Sequence, residues 1–276
     1  MKDSANVYVE KEFCLKWAMV NKDSKKFWYI WGGLLVMALL GQVLNMFHLS
    51  SSYHSFADSS NVCGIHNGLN VLSNLSFIVA GLLACFKFWQ NKNTNINSWI
   101  VALGAVLVCL GSSYYHYMPS DHTLFWDRLP MSLVFSGILM YSIIELNLIP
   151  NVKNKVKFSL GYLLFSLVCV VLWYVGSLNN TSILGPYVFL QFGGMALLLY
   201  MGYLAYSRGN KELYKKISGV MLCYIVAKIF ESHDSAVYLL TDQLVSGHTI
   251  KHMISALALY IWLIPKNAIN TYKKNI

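Results

Sequence analysis

The chain has 276 residues, of which 56% are hydrophobic and only 12% charged, and its mean hydropathy is +0.48. A soluble domain carries about 25% charged residues, so this composition excludes a water-soluble enzyme, a disordered chain and a nucleic-acid-binding domain. The net charge of +9 does not reverse that reading, because most of the lysines sit in short polar gaps between long apolar runs, as topology determinants do.

Residues 1–26 are polar and mixed in charge and lack the apolar core and cleavage site of a signal peptide, so they read as a cytoplasmic tail. Eight predicted transmembrane helices follow, at about 27–48, 68–89, 98–118, 123–145, 156–176, 187–206, 214–233 and 245–264. Each has roughly the 20 residues needed to cross a bilayer core. The runs are too long and too continuously apolar for the alternating strands of a transmembrane barrel. The expected fold class is therefore an all-α integral membrane protein, and residues 265–276 read as a second cytoplasmic tail.

Of the 21 basic residues, 18 fall in the two tails and in the gaps after spans two, four and six or within three residues of those gaps. The opposite gaps hold none, and Arg128, Lys228 and Lys251 fall within spans. The positive-inside rule then places both termini in the cytoplasm. In that topology all eight histidines lie at or near the outer face. The six cysteines form no CxxC pair and read as small packing residues.

Three pieces of sequence carry chemistry. Ser112 and His116 are i and i+4 near the outer end of span three, so they share a helix face. Asp127 and Arg128 stand at the outer start of span four, and His248 and His252 form an HxxxH pair at the outer start of span eight. Two imidazoles from one helix and a third from a neighbour make the three-nitrogen set of a catalytic zinc, which keeps its fourth position open. Zinc brings the pKa of a water to about 7. Asp127 is placed to take a proton from that water, and Ser112 to donate a hydrogen bond to a developing oxyanion. Each piece alone has a bland explanation: a chance HxxxH, a helix-capping Asp, a packing Ser. Three helices delivering ionisable groups to one depth within a membrane is the combination that points to function.

Other outer residues read more simply. Tyr114, Tyr115, Tyr117, Phe125 and Trp126 form an expected interfacial belt. Lys228 and Glu231 form an intrahelical pair, and Lys251 is expected to face away from the two histidines and snorkel. His54, His66 and His122 read as loop residues. Glu231, His233 and Asp234 lie at the right depth to support a metal ligand.

The SxxxH of span three, the Asp eleven residues after that histidine and the HxxxH of the last span resemble the alkaline ceramidases, within a membrane hydrolase superfamily that includes the adiponectin-receptor-like proteins. The stretch Cys63 to Asn74 is similar to the segment entering the family's first core helix. The phrases Gly111 to Met131 and Ser246 to Leu257 look closest to the bacterial branch. The resemblance covers about residues 58–264. It implies a seven-helix zinc hydrolase core there, with 27–48 as an extra N-terminal helix. It also implies zinc held by His116, His248 and His252, with Ser112 and Asp127 beside the reacting water. The implied reaction is hydrolysis of the N-acyl amide of a ceramide-like lipid to a sphingoid base and a fatty acid. Eukaryotic members carry several acidic residues before the first core helix, which bind calcium. Here that segment offers Asp58 with Asn61, Asn67 and Asn70, and a hard dication wants several charged oxygens, so calcium is not expected.

The expected partners are the bilayer and a lipid substrate, with no nucleic acid and no protein partner. The expected place is a bacterial inner membrane, with the zinc site near the outer face. Two other readings stay open on sequence: a receptor-like or transport protein with a structural zinc, and a hydrolase acting on another lipid amide or ester.

Overall fold

A computed structural model describes residues 2–50, 52–150 and 152–263. The expected C-terminal tail, 265–276, lies outside the described residues, as does residue 264. Among the described residues the regular elements are helical, and a single antiparallel bridge, Val62 to Ile65, stands outside them.

The first helix, α1, runs over Lys2–Val43. The expected tail therefore continues into the first span without a structural break near residue 26. The reason is local: residues 2–31 contain neither Gly nor Pro, so nothing interrupts the backbone ladder. The helix ends where Asn45 adopts a left-handed conformation, φ 51°. The expected second span is two helices, α2 (Gly68–Leu72) and α3 (Leu75–Gln90), broken at Ser73–Asn74. Next come α4 (Ile96–Tyr117), α5 (Asp121–Glu145) and α6 (Lys155–Leu178). The expected sixth span is composite. It holds α7 (Gly185–Val188), a π-helical turn over Phe189–Gly193, and α8 (Gly194–Ser207). The chain closes with α9 (Lys211–Ser232), α10 (Asp234–Leu240) and α11 (Gly247–Leu263).

Six of these segments are long and apolar enough to cross a membrane: Val20–Val43, Gly68–Gln90, Ile96–Tyr117, Asp121–Glu145, Lys155–Leu178 and Gly185–Ser207. The chain is thus a multi-pass membrane protein by the character of its helices. The other two expected spans correspond to α9 and α11. Helix α9 carries Lys211, Glu212, Lys215, Lys216, Lys228 and Glu231, and α11 is 17 residues long as described. Leu82, Leu110, Leu164, Leu199 and Leu222 all stand exposed on helix surfaces. In water such a surface is an aggregation liability; in a bilayer it is the solvated face.

The core forms two clusters. The larger is built around Ile143, Leu197, Met201 and Trp262, and the smaller around Trp173, Tyr187 and Phe189. At one end, Arg208 donates to Asp23 at 2.6 Å and to the Leu146 carbonyl, while Ser24 donates to the Leu148 carbonyl. These contacts bring three of the lysine-bearing segments together. The histidines lie at the opposite end of α4 and α11.

The crossing of α4 and α5 sets the geometry of that opposite end. Asn95 caps α4 by accepting from the Asn97 and Ser98 amides, and Ser120 opens α5 with a capping box to Thr123. Only three residues, Met118 to Ser120, separate the helices, so they must run antiparallel. Pro130 lacks an N–H, which leaves the Trp126 carbonyl without its intrahelical donor. Gly111 is the residue facing that carbonyl, and a Cβ there would collide with it. The freed carbonyl and the missing side chain let the backbones meet and set Ser112 beside Asp127. Gly111→Ala is expected to destabilise the protein by about 1–3 kcal/mol through forced separation of the two helices. Thermal unfolding in detergent checks this, and an unchanged midpoint would contradict the close approach.

Candidate metal centre

His116 comes from the last turn of α4, and His248 and His252 come from the first turns of α11. All three are buried, at 1%, 8% and 3% exposure. Their ring centres are 4.8, 4.8 and 4.9 Å apart, and one nitrogen from each lies within 4.8 Å of the others. This is the three-histidine set expected from sequence, and it can hold a metal ion.

The placement of α11 rests on another missing Cβ. At Gly247 a side chain would strike the Phe230 carbonyl of α9 and come 2.9 Å from the Asp234 Cα. Asp234 then accepts from the His248 amide at 2.7 Å with one carboxylate oxygen and from the Ala57 amide at 2.9 Å with the other. One carboxylate so ties the start of the ligand helix to the loop before α2. That loop delivers Phe56, whose ring packs 4.6 Å from His116 and 4.7 Å from His248. The Asn67 side chain donates to the His116 carbonyl at 2.8 Å.

The donor atoms fit a metal. The Nε2 atoms of His116 and His248 face each other at 3.3 Å. A tetrahedral zinc with Zn–N of about 2.0–2.1 Å spaces its nitrogens about 3.3–3.4 Å apart. Ser73 donates its hydroxyl proton to the Asn70 carbonyl at 3.0 Å, so its oxygen is left to accept from His252 Nδ1 at 2.8 Å. That fixes the tautomer and leaves the His252 Nε2 lone pair free for a metal. His116 Nδ1 is buried without a partner among the described residues.

A cavity with about 1170 Å³ of empty space, its open mouth included, reaches His252. Its polar end is formed by Ser112, Asp127, Arg128, Lys228, Glu231 and Lys251. Val134, Ile138, Met195, Val220 and Leu259 line the apolar remainder. The cavity lies between α5, which packs on α4, α6 and α8, and α11, which packs on α9, α3 and α4. Asp127 keeps partial exposure because it faces this space. The structure thus brings Ser112, Asp127 and His252 to one cavity wall.

Lys251 departs from the sequence expectation. It does not face away from the histidines: its ammonium lies 3.1 Å from His248 Nε2 and donates to Glu231 at 2.8 Å. Residues i and i+3 on a helix are neighbours, so Lys251 shares His248's side, and the α9 carboxylate holds it there. Glu231 also binds Lys228, as expected. His233 is exposed and does not support a ligand, whereas Asp234 does so through the backbone. Tyr115 is buried rather than part of an interfacial belt, and it hydrogen-bonds His54, which also meets Asp121. His54, His66 and His122 stay outside the triad.

Phe56, Ser73 and the π-helical turn gave no sequence signal that sets them apart. The turn places Gln191 on the cavity wall; such single turns are frequent at functional sites.

No protein-family model and no curated protein matches this chain. The site's chemistry is therefore the basis of its reading.

Proposed function

We propose that the chain is a zinc-dependent intramembrane amidohydrolase of alkaline ceramidase type. It cleaves the N-acyl amide of a ceramide-like lipid to a sphingoid base and a fatty acid. The observation that carries this reading is the buried triad of His116, His248 and His252, of which His252 lines a cavity whose polar end holds Ser112 and Asp127 and whose remainder is apolar. His116, His248 and His252 would hold the zinc. Bound there, zinc supplies Lewis acidity, polarising a carbonyl and easing the deprotonation of water.

This chain's residues do the rest. The apolar wall takes the acyl chain by burial of its methylenes. Ser112 donates a hydrogen bond to the amide carbonyl oxygen as negative charge develops on it. Asp127 takes the proton of the attacking water as a C–O bond forms, then passes it to the amide nitrogen as the C–N bond breaks. Phe56 packs against the His116 and His248 rings and limits their exposure to water.

In this reading the protein has eight spans: a seven-helix core over residues 58–264, preceded by the extra span 27–48. Both termini are cytoplasmic, and the metal lies near the outer face of a bacterial inner membrane. The charge asymmetry of the polar gaps supports that orientation. A receptor-like or transport protein would need no proton acceptor beside the triad, and Asp127 favours hydrolysis over that reading.

The test is a lipid comparison of membranes incubated with purified wild-type and His252→Ala protein. Wild type is expected to deplete an N-acyl lipid and release its fatty acid, and the variant to leave both unchanged. Identical lipid profiles would sink the hydrolase reading. Release of fatty acid from an ester instead would move the scissile bond.

A further inference from the structure

Arg128 follows Asp127 on α5 and is 4% exposed. Its guanidinium carbon lies 4.1 Å from the centre of the Trp173 ring, 4.4 Å from Tyr187 and 5.6 Å from Tyr53. Nη2 donates to the Tyr53 hydroxyl at 3.4 Å. Nη1 is buried with no hydrogen-bond partner, and no carboxylate forms an ion pair with this side chain among the described residues.

That is an expensive arrangement. A guanidinium keeps its charge at any physiological pH, and an unpaired cation within a span is strongly disfavoured. Aromatic faces offset part of the cost, but they leave Nη1 without a hydrogen-bond acceptor among the described residues. The other cations of the cavity's polar end do not share the problem. Lys228 and Lys251 both bind Glu231. The polar end therefore has three cations, Arg128, Lys228 and Lys251, against two carboxylates, Asp127 and Glu231.

We propose that Arg128 anchors the acidic headgroup of the lipid that occupies this cavity. The occupant carries a phosphate, sulfonate or carboxylate, the planar-fork partners of a guanidinium. The acid lies at the same end of the occupant as the amide, because Arg128 and Asp127 both line the cavity's polar end. The contiguous apolar wall selects a lipid rather than a free anion. The inference rests on the reading that the cavity takes a lipid, and it narrows that lipid to an acidic one.

The test is calorimetric binding to purified full-length protein in a neutral maltoside detergent, which does not depend on turnover. The probes are hexadecyl phosphate, neutral monohexadecanoylglycerol and inorganic phosphate alone. Wild type is expected to bind hexadecyl phosphate about tenfold or more tighter than the neutral lipid, the scale of a charge-assisted hydrogen bond. Arg128→Gln is expected to abolish that preference while keeping the neutral lipid's affinity, and Arg128→Lys to keep part of it. Equal binding of the two lipids by wild type overturns the proposal and leaves the hydrolase reading standing. So does a preference that survives in folded Arg128→Gln. Saturation by inorganic phosphate alone assigns the site to a free anion and overturns the lipid assignment. Binding of neither lipid overturns this proposal and the lipid-cavity reading together. If Arg128→Gln does not fold, judged by its gel-filtration profile, the wild-type preference and Arg128→Lys still decide.

Discussion

Asp127→Asn is expected to lower fatty-acid release by about 10²–10⁴-fold, the usual contribution of a positioned proton acceptor, while the protein keeps its fold and its metal. The asparagine has nearly the same shape, so the α4–α5 crossing at Gly111 and Trp126 is undisturbed. Asp127 is also absent from the group of residues that can hold the ion. What the variant loses is the ability to accept a proton beside Ser112. Turnover and bound metal measured on the same samples separate the roles. Lost turnover with full metal supports a proton acceptor. Loss of both would make Asp127 a support of the metal instead. Near-wild-type turnover would remove it from the chemistry and leave Glu231, on the same cavity wall, as the next carboxylate to test.

The second large effect concerns the triad. His116→Ala, His248→Ala and His252→Ala are each expected to reduce metal from about one ion per chain to a small fraction, because a three-ligand zinc site has no protein nitrogen to spare. His122→Ala is expected to keep full occupancy: its ring meets Tyr174 and stands outside the triad. His248 is the most informative of the three. Lys251 approaches the same nitrogen that faces His116, so a metal there must displace the ammonium toward Glu231. Full occupancy in His248→Ala would show that the histidines are simply packed, with Lys251 and Glu231 forming an ordinary ion pair beside them. Elemental analysis after gel filtration reads the outcome.

Much of this was legible in the sequence, for identifiable reasons. Helix positions followed from apolar length, and most expected spans agree with the structure to within a few residues. HxxxH spacing placed His248 and His252 on one helix face, and the short connection between α4 and α5 brought Asp127 back beside Ser112; His116 meets the pair only through the packing of α4 on α11. What stayed hidden depends on tertiary contact or on backbone detail. The first helix extends through the expected tail because helix formation there needs only the absence of breakers. The break at Ser73–Asn74 and the π-helical turn leave no trace in apolar periodicity. Lys251 was expected to snorkel because Glu231, twenty positions earlier, is invisible as a partner until α9 and α11 pack. The sequence placed Arg128 within span four beside Asp127 and assigned it no role of its own. Only the aromatic rings on either side of it, from α6 and α7, show that it is buried and short of an acceptor.

The proposed hydrolysis requires that the triad hold a metal. The most direct measurement is fatty-acid release from an N-acyl sphingoid substrate in detergent micelles by wild-type protein as purified, after exhaustive chelation, and after zinc is restored. Activity that falls to background with the metal and returns with zinc is the expected result. Activity that survives complete removal of metal, verified by elemental analysis of the same sample, would contradict it.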